Sequence, residues 1–437
     1  MKFSIFLAVL SSTCAQSQDA NNLLQPQTME GALYTFDKRL TFTVQEENRA
    51  RDEQATRDVD KKIKQVGDSL SGTWTEYDED GLVWIVVGTT SPEIYKSSKI
   101  GFNDVVKIKL QKYSLAYLNS ISELVGKFVI ENFAGPDGNP KGEEWGTVLF
   151  DPRKNKIDIQ FPESKYKLII DYLEKHNVPS DAYTLEEFSP IIPYATLYPG
   201  MGFISGDAVY QDGAGKCTIG YDAVIPVGSV VFPVVLTVGH CQYFARSAGE
   251  PTVYNYTVNH LQHPVEYIGE FLGGRNHLLT PNQTDAAFIA NANFAHKLTS
   301  QIYGRPSAIA NVNRTLFNSR VGRIVCSVGM MTDWRCGVIM RNVSMPQSLM
   351  IGNPSFGTSS SAAIRNLDEV NICGRPGDSG SPVLLLGNSA YGIYTGVSGA
   401  AVGGGSGNNG NCSHSLPRSY VTTIVKFLSD NNAFLVQ

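Results

Sequence analysis

One serine of this chain lies among residues with almost no side chain. The stretch CGRPGDSGSP, from Cys373 to Pro382, places Ser379 between an Asp and a Gly, two residues after Gly377. Gly, Asp, Ser and Pro dominate tight turns, so the motif alone is compatible with an ordinary turn. The same small neighbours would also let a substrate carbonyl reach backbone N–H groups beside a nucleophilic hydroxyl. A base and an orienting acid elsewhere in the chain would decide between these interpretations.

Two further motifs supply a candidate base and a candidate acid. His240 lies in LTVGHC, directly after an apolar strand, and Asp285 lies in PNQTDAAFIA, just before an apolar run. Taken singly, a buried histidine is more often structural, and such an aspartate more often belongs to a turn. The order His240, Asp285, Ser379 is one of the known chain orders of a catalytic triad. In a triad the histidine takes the serine proton, and the aspartate fixes the imidazole tautomer.

Small residues around the serine fit this chemistry, because the N–H groups of Gly377 and Ser379 would form an oxyanion hole. Losing one such donor typically lowers the rate about 10²–10³-fold. Cys241, beside His240, could suggest a thiol nucleophile. A disulfide to Cys217 on the preceding strand is favoured, because two antiparallel strands would bring the pair close.

The elements that must position this site lie in a C-terminal part beginning near residue 204. Short Val/Ile runs separated by Gly, Asn, Pro and Ser predict a barrel or sandwich of strands there. The N-terminal part is acidic and predicts small α+β lobes. Within it, Gly72–Thr90 and Gly146–Lys165 each predict two strands joined by a turn, and residues 45–69 and 104–133 predict helices.

The composition and the N-terminus indicate a secreted chain. The 437 residues carry a net charge of −5, with no basic excess to indicate nucleic-acid binding. Residues 1–15 combine a positive start, a short apolar core and a small-residue exit, which predicts a signal peptide; about eight apolar residues cannot cross a bilayer. Of the seven cysteines, Cys14 leaves with the signal, and the even remainder predicts disulfides. Sequons for glycosylation begin at Asn255, Asn282, Asn313, Asn342 and Asn411.

Several motifs together resemble one protease family. ISGDAVYQDGAGKCTIGYDAV, LTVGHC, IVCSVGMMTDWRCGVIM, CGRPGDSGSPVL and SGNNGNC are similar to the streptogrisin and α-lytic protease branch of the chymotrypsin-like serine proteases. The resemblance covers Ile204–Gln437 and implies two six-stranded antiparallel β-barrels, with the triad in the cleft between them. It also implies three disulfides, namely Cys217–Cys241, Cys326–Cys336 and Cys373–Cys412.

The N-terminal part is similar to the pro-region of that branch, through its hairpins G-x-W…G-L-V and DP-x-x-N-K. The resemblance implies a signal peptide at 1–15, an α+β pro-region at 16–203 and a protease domain at 204–437. It implies that the pro-region is a folding catalyst and an intramolecular inhibitor, removed by a cut near Phe203.

The chain departs from the family beside the nucleophile. Bacterial relatives carry an arginine that pairs with the aspartate before the serine, but Ser327 stands at that position in this chain. A buried Asp378 still needs a partner. The candidates are Arg323, Arg335 and the amino terminus made by maturation, and we expect one of the two arginines.

The strand that lines the specificity pocket in the family also differs. It is predicted to carry Tyr394, Thr395, Gly396 and Val397, with Tyr394 where bulk narrows the pocket. We therefore expect Ala, Val or Thr before the cleaved bond. The alternative is an ordinary deep pocket for Phe, Tyr and Leu, and trypsin-like specificity is not expected.

These observations predict a secreted, extracellular serine endopeptidase, made as a pre-pro-protein, that works through an acyl-enzyme intermediate. The alternative is a catalytically silent relative that binds protein through the same cleft, although such relatives usually lose a triad member and none is missing here. Expected partners are protein or peptide substrates and the chain's own pro-region. We expect a monomer without metal or cofactor, and no nucleic-acid or membrane partner.

Overall fold

Three β-sheets organise the part of the chain that the structure describes. This computed structural model describes residues 29–97, 102–135, 146–188, 191–192, 208–211, 215–228, 230–241, 252–255, 266–272, 283–290, 311–312, 320–329, 332, 334–344, 347–351, 360–374, 377–386, 389–398 and 418–436. The predicted signal peptide and the predicted maturation site near Phe203 lie outside the described residues.

The described helices and strands have the following bounds. The helices are α1 Met29–Phe36, α2 Phe42–Lys62, α3 Pro92–Ser97, α4 Leu115–Phe133, α5 Tyr166–Lys175 and α6 Val425–Asp430. The strands of the N-terminal part are β1 Leu70–Tyr77, β2 Val83–Thr89, β3 Val106–Leu110, β4 Thr147–Asp151, β5 Lys156–Phe161, β6 Tyr183–Glu187 and β7 Ile191–Ile192. Those that follow are β8 Ala208–Gln211, β9 Gly215–Thr218, β10 Tyr221–Val227, β11 Val230–Thr237, β12 Thr252–Asn255, β13 Glu266–Leu272, β14 Gln283–Thr284, β15 Ala287–Ala290, β16 Asn311–Val312, β17 Ile324–Ser327, β18 Arg335–Val343, β19 Gln347–Ile351, β20 Ser360–Arg365, β21 Leu367–Val370, β22 Pro382–Leu385, β23 Ser389–Ser398, β24 Arg418–Thr423 and β25 Phe434–Leu435.

The charged segment predicted to be helical at residues 45–69 forms α2. The Thr41 hydroxyl accepts a hydrogen bond from the Val44 N–H, which satisfies one of the free donors at the helix start. Val59 is buried with side chains of β2, so a single face of this charged helix packs. The prediction is confirmed for most of its length, since 3-10 turns replace the α-helix after α2 ends.

The first sheet has the order β1-β2-β3. The hairpin predicted at Gly72–Thr90 is confirmed by the antiparallel pair β1–β2. The prediction that residues 104–133 are largely helical is wrong at its start, where β3 pairs in parallel with β2 and Val106 lies opposite Ile85. The run V-K-I-K-L alternates with period two, which suits a strand, and α4 begins only after its cap at Ser114.

The second predicted hairpin extends a sheet of the C-terminal part. Strands β4 and β5 form the hairpin expected at residues 146–165, and β6 adds in parallel. The β4 strand also pairs antiparallel with β18, through Asn342 with Phe150 and Val343 with Leu149. The N-terminal and C-terminal parts therefore share one hydrogen-bonded sheet.

The C-terminal part contains a closed six-stranded barrel. Its strands follow the ring β17-β18-β21-β24-β23-β22 and back to β17, with every pair antiparallel. Before it, a second sheet runs β25-β10-β11-β15-β13-β12-β8-β9, and its pairs are also antiparallel. This arrangement fits the predicted all-β domain of two antiparallel barrels.

Apolar side chains of the N-terminal part are buried against the closed barrel. Met29 and Leu33 of α1 belong to the same core cluster as Ile324 of β17. Trp74 of β1 is fully buried in the cluster that contains Val325 and other side chains of the closed barrel. Within the described ranges, the structure has no helix with the length and apolar character needed to cross a bilayer.

Candidate active site

The fold brings His240 and Asp285 together through one pair of strands. Strands β11 and β15 are antiparallel neighbours, with Thr237 opposite Ala287, so the end of β11 lies beside the start of β15. His240 stands in a short helical turn just after β11. Asp285 precedes β15 by two residues. The sequence separation of 45 residues between the two side chains is thereby closed.

Asp285 holds His240 through two hydrogen bonds. One carboxylate oxygen lies 2.9 Å from the ring atom Nδ1, and the other accepts a 2.9 Å hydrogen bond from the His240 backbone N–H. Both side chains are fully buried. A carboxylate on Nδ1 favours the tautomer with its proton there, which makes Nε2 the basic ring nitrogen.

The loop that carries Ser379 packs against the strand end that leads to His240. The Thr218 N–H donates to the Ser379 carbonyl (2.6 Å), and the Thr218 hydroxyl donates to the Gly377 carbonyl (2.7 Å). A side chain at Gly380 would place its Cβ 2.1 Å from the Thr218 carbonyl oxygen and 2.4 Å from the Thr237 hydroxyl. Glycine is therefore required for this approach, which sets the serine loop at the junction of the two barrels.

The Ser379 hydroxyl adopts a specific orientation in this structure. Its Oγ is fully buried and donates to the Thr395 carbonyl at 3.2 Å. It is therefore not hydrogen-bonded to the His240 ring here. Rotation about the Ser379 Cα–Cβ bond between staggered positions would release the hydroxyl from Thr395.

Two backbone donors beside the serine are available to a ligand. Within the described part of the chain, the N–H groups of Gly377 and Ser379 donate no hydrogen bond. Buried N–H groups are normally paired, so two unused donors next to a hydroxyl suit an oxyanion. These are the two groups that the sequence predicted for an oxyanion hole.

Asp378 is buried, and one of its carboxylate oxygens accepts a 2.9 Å hydrogen bond from the Thr332 hydroxyl. Arg323, one of the two arginines expected to pair with Asp378, donates instead to Asp52 of α2. That expectation therefore does not hold for Arg323 in this structure. Pairing with Arg335 stays a prediction.

Two of the three expected disulfides are present, Cys217–Cys241 and Cys326–Cys336. Cys373 is also disulfide-bonded, and its predicted partner Cys412 lies outside the described residues.

A possible metal-ligand group of Cys217, His240 and Cys241 is excluded by other bonds. Both sulfurs are used in the disulfide, and the histidine ring is held by Asp285. A zinc site needs thiolates, which these cysteines cannot supply while they are oxidised.

The predicted pocket residues lie on β23, within the closed barrel. The Tyr394 side chain is buried, and its hydroxyl lies 2.9 Å from Ser419 Oγ. A Cβ at Gly374 would lie 2.4 Å from the Tyr394 ring and hydroxyl, so the ring packs directly against the backbone of Gly374, next to Cys373. The Thr395 hydroxyl bonds to Thr422 Oγ1.

The remaining pocket residues are distributed as follows. Val397 is packed in the barrel core, and Gly396 lies opposite Tyr420.

Two of the five sequon asparagines lie among the described residues. The Asn342 amide donates to Asp368 at 2.7 Å. Asn255 ends β12, and the other three sequons lie outside the described residues.

A closed antiparallel barrel, a second antiparallel sheet, a buried His–Asp pair and a Gly-Asp-Ser-Gly loop together fit the scaffold of a chymotrypsin-like serine protease. Streptogrisin-C of Streptomyces griseus is 28% identical over 204 residues, which are 46% of this chain and 36% of streptogrisin-C. The match therefore spans little more than a third of that relative. The predicted resemblance to chymotrypsin-like serine proteases and the predicted all-β protease fold are confirmed. The resemblance of the N-terminal part to a pro-region stays a prediction.

Solved structures are similar to about half of the chain. The chymotrypsin of Cellulomonas bogoriensis is 23% identical with a TM-score of 0.34, over 55% of this chain and 99% of that one. Protease A of Thermobifida fusca is 22% identical with a TM-score of 0.35, over 54% and 98%. No family model matches the chain.

Sequence reasoning missed two threonines that hold the serine loop. Thr218 supports it from the first barrel, and Thr332 holds the neighbouring Asp378. Neither threonine stands in a pattern that indicates this role. Both contacts join segments far apart in the chain, and only the fold brings them together.

Proposed function

We propose that this protein is a secreted serine endopeptidase made as a precursor, with Ser379 as nucleophile, His240 as general base and Asp285 as the orienting acid. The observation that carries the proposal is the buried His240–Asp285 pair beside a serine loop with two unused N–H donors. The sequence similarity to streptogrisin-C supports the same class of activity.

The chemistry follows from this geometry. Ser379 first turns from Thr395 towards Nε2 of His240, which takes its proton as the oxygen attacks the substrate carbonyl. The N–H groups of Gly377 and Ser379 stabilise the oxyanion of the tetrahedral intermediate. The imidazolium, stabilised by Asp285, then protonates the leaving amine and an acyl-enzyme remains. Water activated by the same histidine hydrolyses the acyl-enzyme and regenerates Ser379.

The N-terminal part acts in this proposal as an intramolecular inhibitor. Strand β7 pairs antiparallel with β23, with Ile192 opposite Val397 and Ile191 opposite Ser398. These β23 residues follow Thr395, whose carbonyl accepts the hydrogen bond from the Ser379 hydroxyl. An extended segment along this strand would compete with a substrate bound there by backbone pairing. Cleavage near Phe203 would free the strand.

Charged contacts support a specific association of the two parts. The Arg341 side chain of β18 is buried and pairs with Asp158 of β5 and Glu186 of β6, each at 2.8 Å. A second contact joins Asp52 of α2 to Arg323. Each pair joins a carboxylate of the N-terminal part to an arginine of the protease scaffold.

Hydrolysis of a protein substrate tests the peptidase proposal. The full chain, expressed in a secreting host, should degrade casein, and the Ser379→Ala variant should not. Cleavage by both proteins at equal rates would point to a contaminating protease and contradict the proposal. Casein binding without cleavage by the purified wild type would instead favour the catalytically silent alternative.

A further inference from the structure

The loop between β17 and β18 reaches the residue that precedes the nucleophile. Thr332 lies in this loop and is buried, and its hydroxyl donates to Asp378 Oδ2 at 2.9 Å. The loop is closed by a hydrogen bond from the Gly329 N–H to the Thr332 carbonyl (2.9 Å). We propose that Thr332 is a positioning residue for the reaction, which holds Asp378 and through it the two oxyanion donors. This inference rests on the proposed peptidase activity.

The loop that presents Thr332 is itself fixed at its base. Cys326 and Cys336 lie opposite each other in the pair β17–β18 and form a disulfide. The two strands that flank Thr332 are therefore joined both by hydrogen bonds and by a covalent bridge. Thr332 itself is tied near the end of the first strand by its carbonyl, which accepts from the Gly329 N–H.

The opposite oxygen of the Asp378 carboxylate lies against the same loop. A side chain at Gly329 would place its Cβ 2.2 Å from Asp378 Oδ1 and 2.6 Å from Ser381 Oγ, so the carboxylate needs a glycine here. The Asp378 carbonyl in turn accepts hydrogen bonds from the Ser381 N–H (2.9 Å) and the Ser381 hydroxyl (2.5 Å). The side chain and the main chain of Asp378 are thus both anchored.

Anchoring Asp378 fixes its two neighbours. The peptide plane after Asp378 contains the Ser379 N–H, and the Gly377 N–H lies in the plane on the far side of Gly377, so a displacement of Asp378 is transmitted along the chain to both planes. These two N–H groups are the proposed oxyanion donors. Oxyanion stabilisation depends on donors held at hydrogen-bond distance from the developing charge, so a small rotation of these planes weakens it. Bacterial relatives place an arginine where this chain has Ser327. A threonine hydroxyl therefore supplies a hydrogen bond to Asp378 that does not depend on that arginine.

The test separates the number of working sites from their rate. The wild type, Thr332→Val and Thr332→Ser are each expressed as the full chain in a secreting host, checked for cleavage near Phe203, and assayed with p-nitrophenyl acetate, whose acetyl group needs no side-chain pocket. The amplitude of the initial burst counts the working sites, and its rate reports acylation. We expect Thr332→Val to keep its burst amplitude and KM but to acylate roughly 10–100-fold more slowly, because oxyanion donors are displaced rather than removed. Thr332→Ser should return to within about threefold of the wild-type rate, since it restores the hydroxyl.

Two further variants sharpen the result. Gly329→Ala should slow acylation per site in the same way, because its methyl group displaces the carboxylate while the hydroxyl remains. Thr423→Val removes a half-buried hydroxyl that donates to the Asn366 carbonyl and has no contact with Asp378, and it should leave the acylation rate per site unchanged.

Wild-type acylation rates per site in both Thr332→Val and Gly329→Ala would overturn the inference, as would a fall in burst amplitude alone. A wild-type chain that has been cleaved near Phe203 and still gives no burst would overturn the proposed peptidase function and this inference with it.

Discussion

The side chain of Asp285 sets the chemistry of its histidine partner. With both carboxylate oxygens bonded to His240, replacement by the amide isostere keeps the shape but presents an N–H₂ group to the ring or the backbone. The imidazole would then be held in the wrong tautomer. We expect Asp285→Asn to lower kcat about 10⁴-fold, as expected for the orienting acid of a triad.

Peptide hydrolysis and urea unfolding of the same Asp285→Asn preparation check this prediction. Asp430→Asn is the matched control, because Asp430 forms an exposed ion pair with Lys426. The control should keep wild-type kcat. An Asp285→Asn enzyme with kcat within tenfold of wild type, at normal stability, would contradict the assigned role.

At the residue scale, we propose that the Tyr394 ring sets the specificity. The ring is buried, its hydroxyl lies 2.9 Å from Ser419 Oγ, and it lies against Gly374, so we expect it to narrow the space for the side chain before the cleaved bond. We expect the wild type to prefer Ala, Val or Thr there. Tyr394→Ala should raise cleavage after Phe relative to Ala by roughly tenfold or more, measured as kcat/KM on matched peptides.

A wild-type peptide-library profile dominated by Phe would exclude the narrow pocket. Ser419→Ala is the companion variant, since it removes the hydroxyl partner and keeps the ring. Its preference should stay close to that of the wild type.

At the scale of secondary-structure elements, the sequence predicted those elements that depend only on neighbouring residues. Both hairpins of the N-terminal part carry alternating apolar residues around turn residues, and both form. Strand β3 was not predicted because it depends on the edge of β2, and α1 was not predicted because its burial depends on β17 and β18. The triad residues stand in recognisable motifs, whereas Thr332 acts through a contact across 46 residues. Contacts of that kind have no local pattern.

A buried ion pair between Asp158 of β5 and Arg341 of β18 joins the N-terminal part to the C-terminal part. Asp158 is fully buried, accepts a hydrogen bond from Thr184 and pairs with Arg341. Removing one partner of a buried pair is strongly destabilising, so Asp158→Asn should lower the free energy of unfolding by about 3 kcal/mol. Urea unfolding of the full chain, followed by tryptophan fluorescence, measures this change.

Asp171→Asn is the control for that measurement. Asp171 pairs with Lys167 at the surface, where both side chains are more than half exposed. An exposed pair contributes about 0–1 kcal/mol, so the control should be nearly neutral. Equal losses of unfolding free energy in Asp158→Asn and Asp171→Asn would contradict the importance of the buried Asp158–Arg341 pair.

For the whole molecule, the same carboxylate predicts sensitivity to acid. Burial alone would raise the pKa of Asp158, but hydrogen bonds from Thr184 and Arg341 outweigh it and hold the pKa below its usual value of 3.8. A group whose pKa is lower in the folded state stabilises the fold above the unfolded pKa, and this stabilisation is lost as the pH falls through the folded pKa. We expect wild-type stability to fall more steeply than that of Asp158→Asn below about pH 4, by up to about 1.4 kcal/mol per pH unit.

Unfolding free energies measured from pH 7 to pH 2.5 for the two proteins check this difference. Parallel curves below pH 4 would show that Asp158 does not titrate with folding, and would contradict the role given to its contact with Arg341.

Covalent labelling of the serine tests the central claim most directly, because only an activated hydroxyl reacts with a fluorophosphonate at a useful rate. The full chain is expressed in a secreting host, checked for cleavage near Phe203 and incubated with the probe, and the adduct is located by peptide mass spectrometry. We predict one adduct, on Ser379, that disappears in His240→Ala and in denatured protein. An adduct elsewhere, or one on Ser379 that forms equally fast without His240, would contradict the proposed triad.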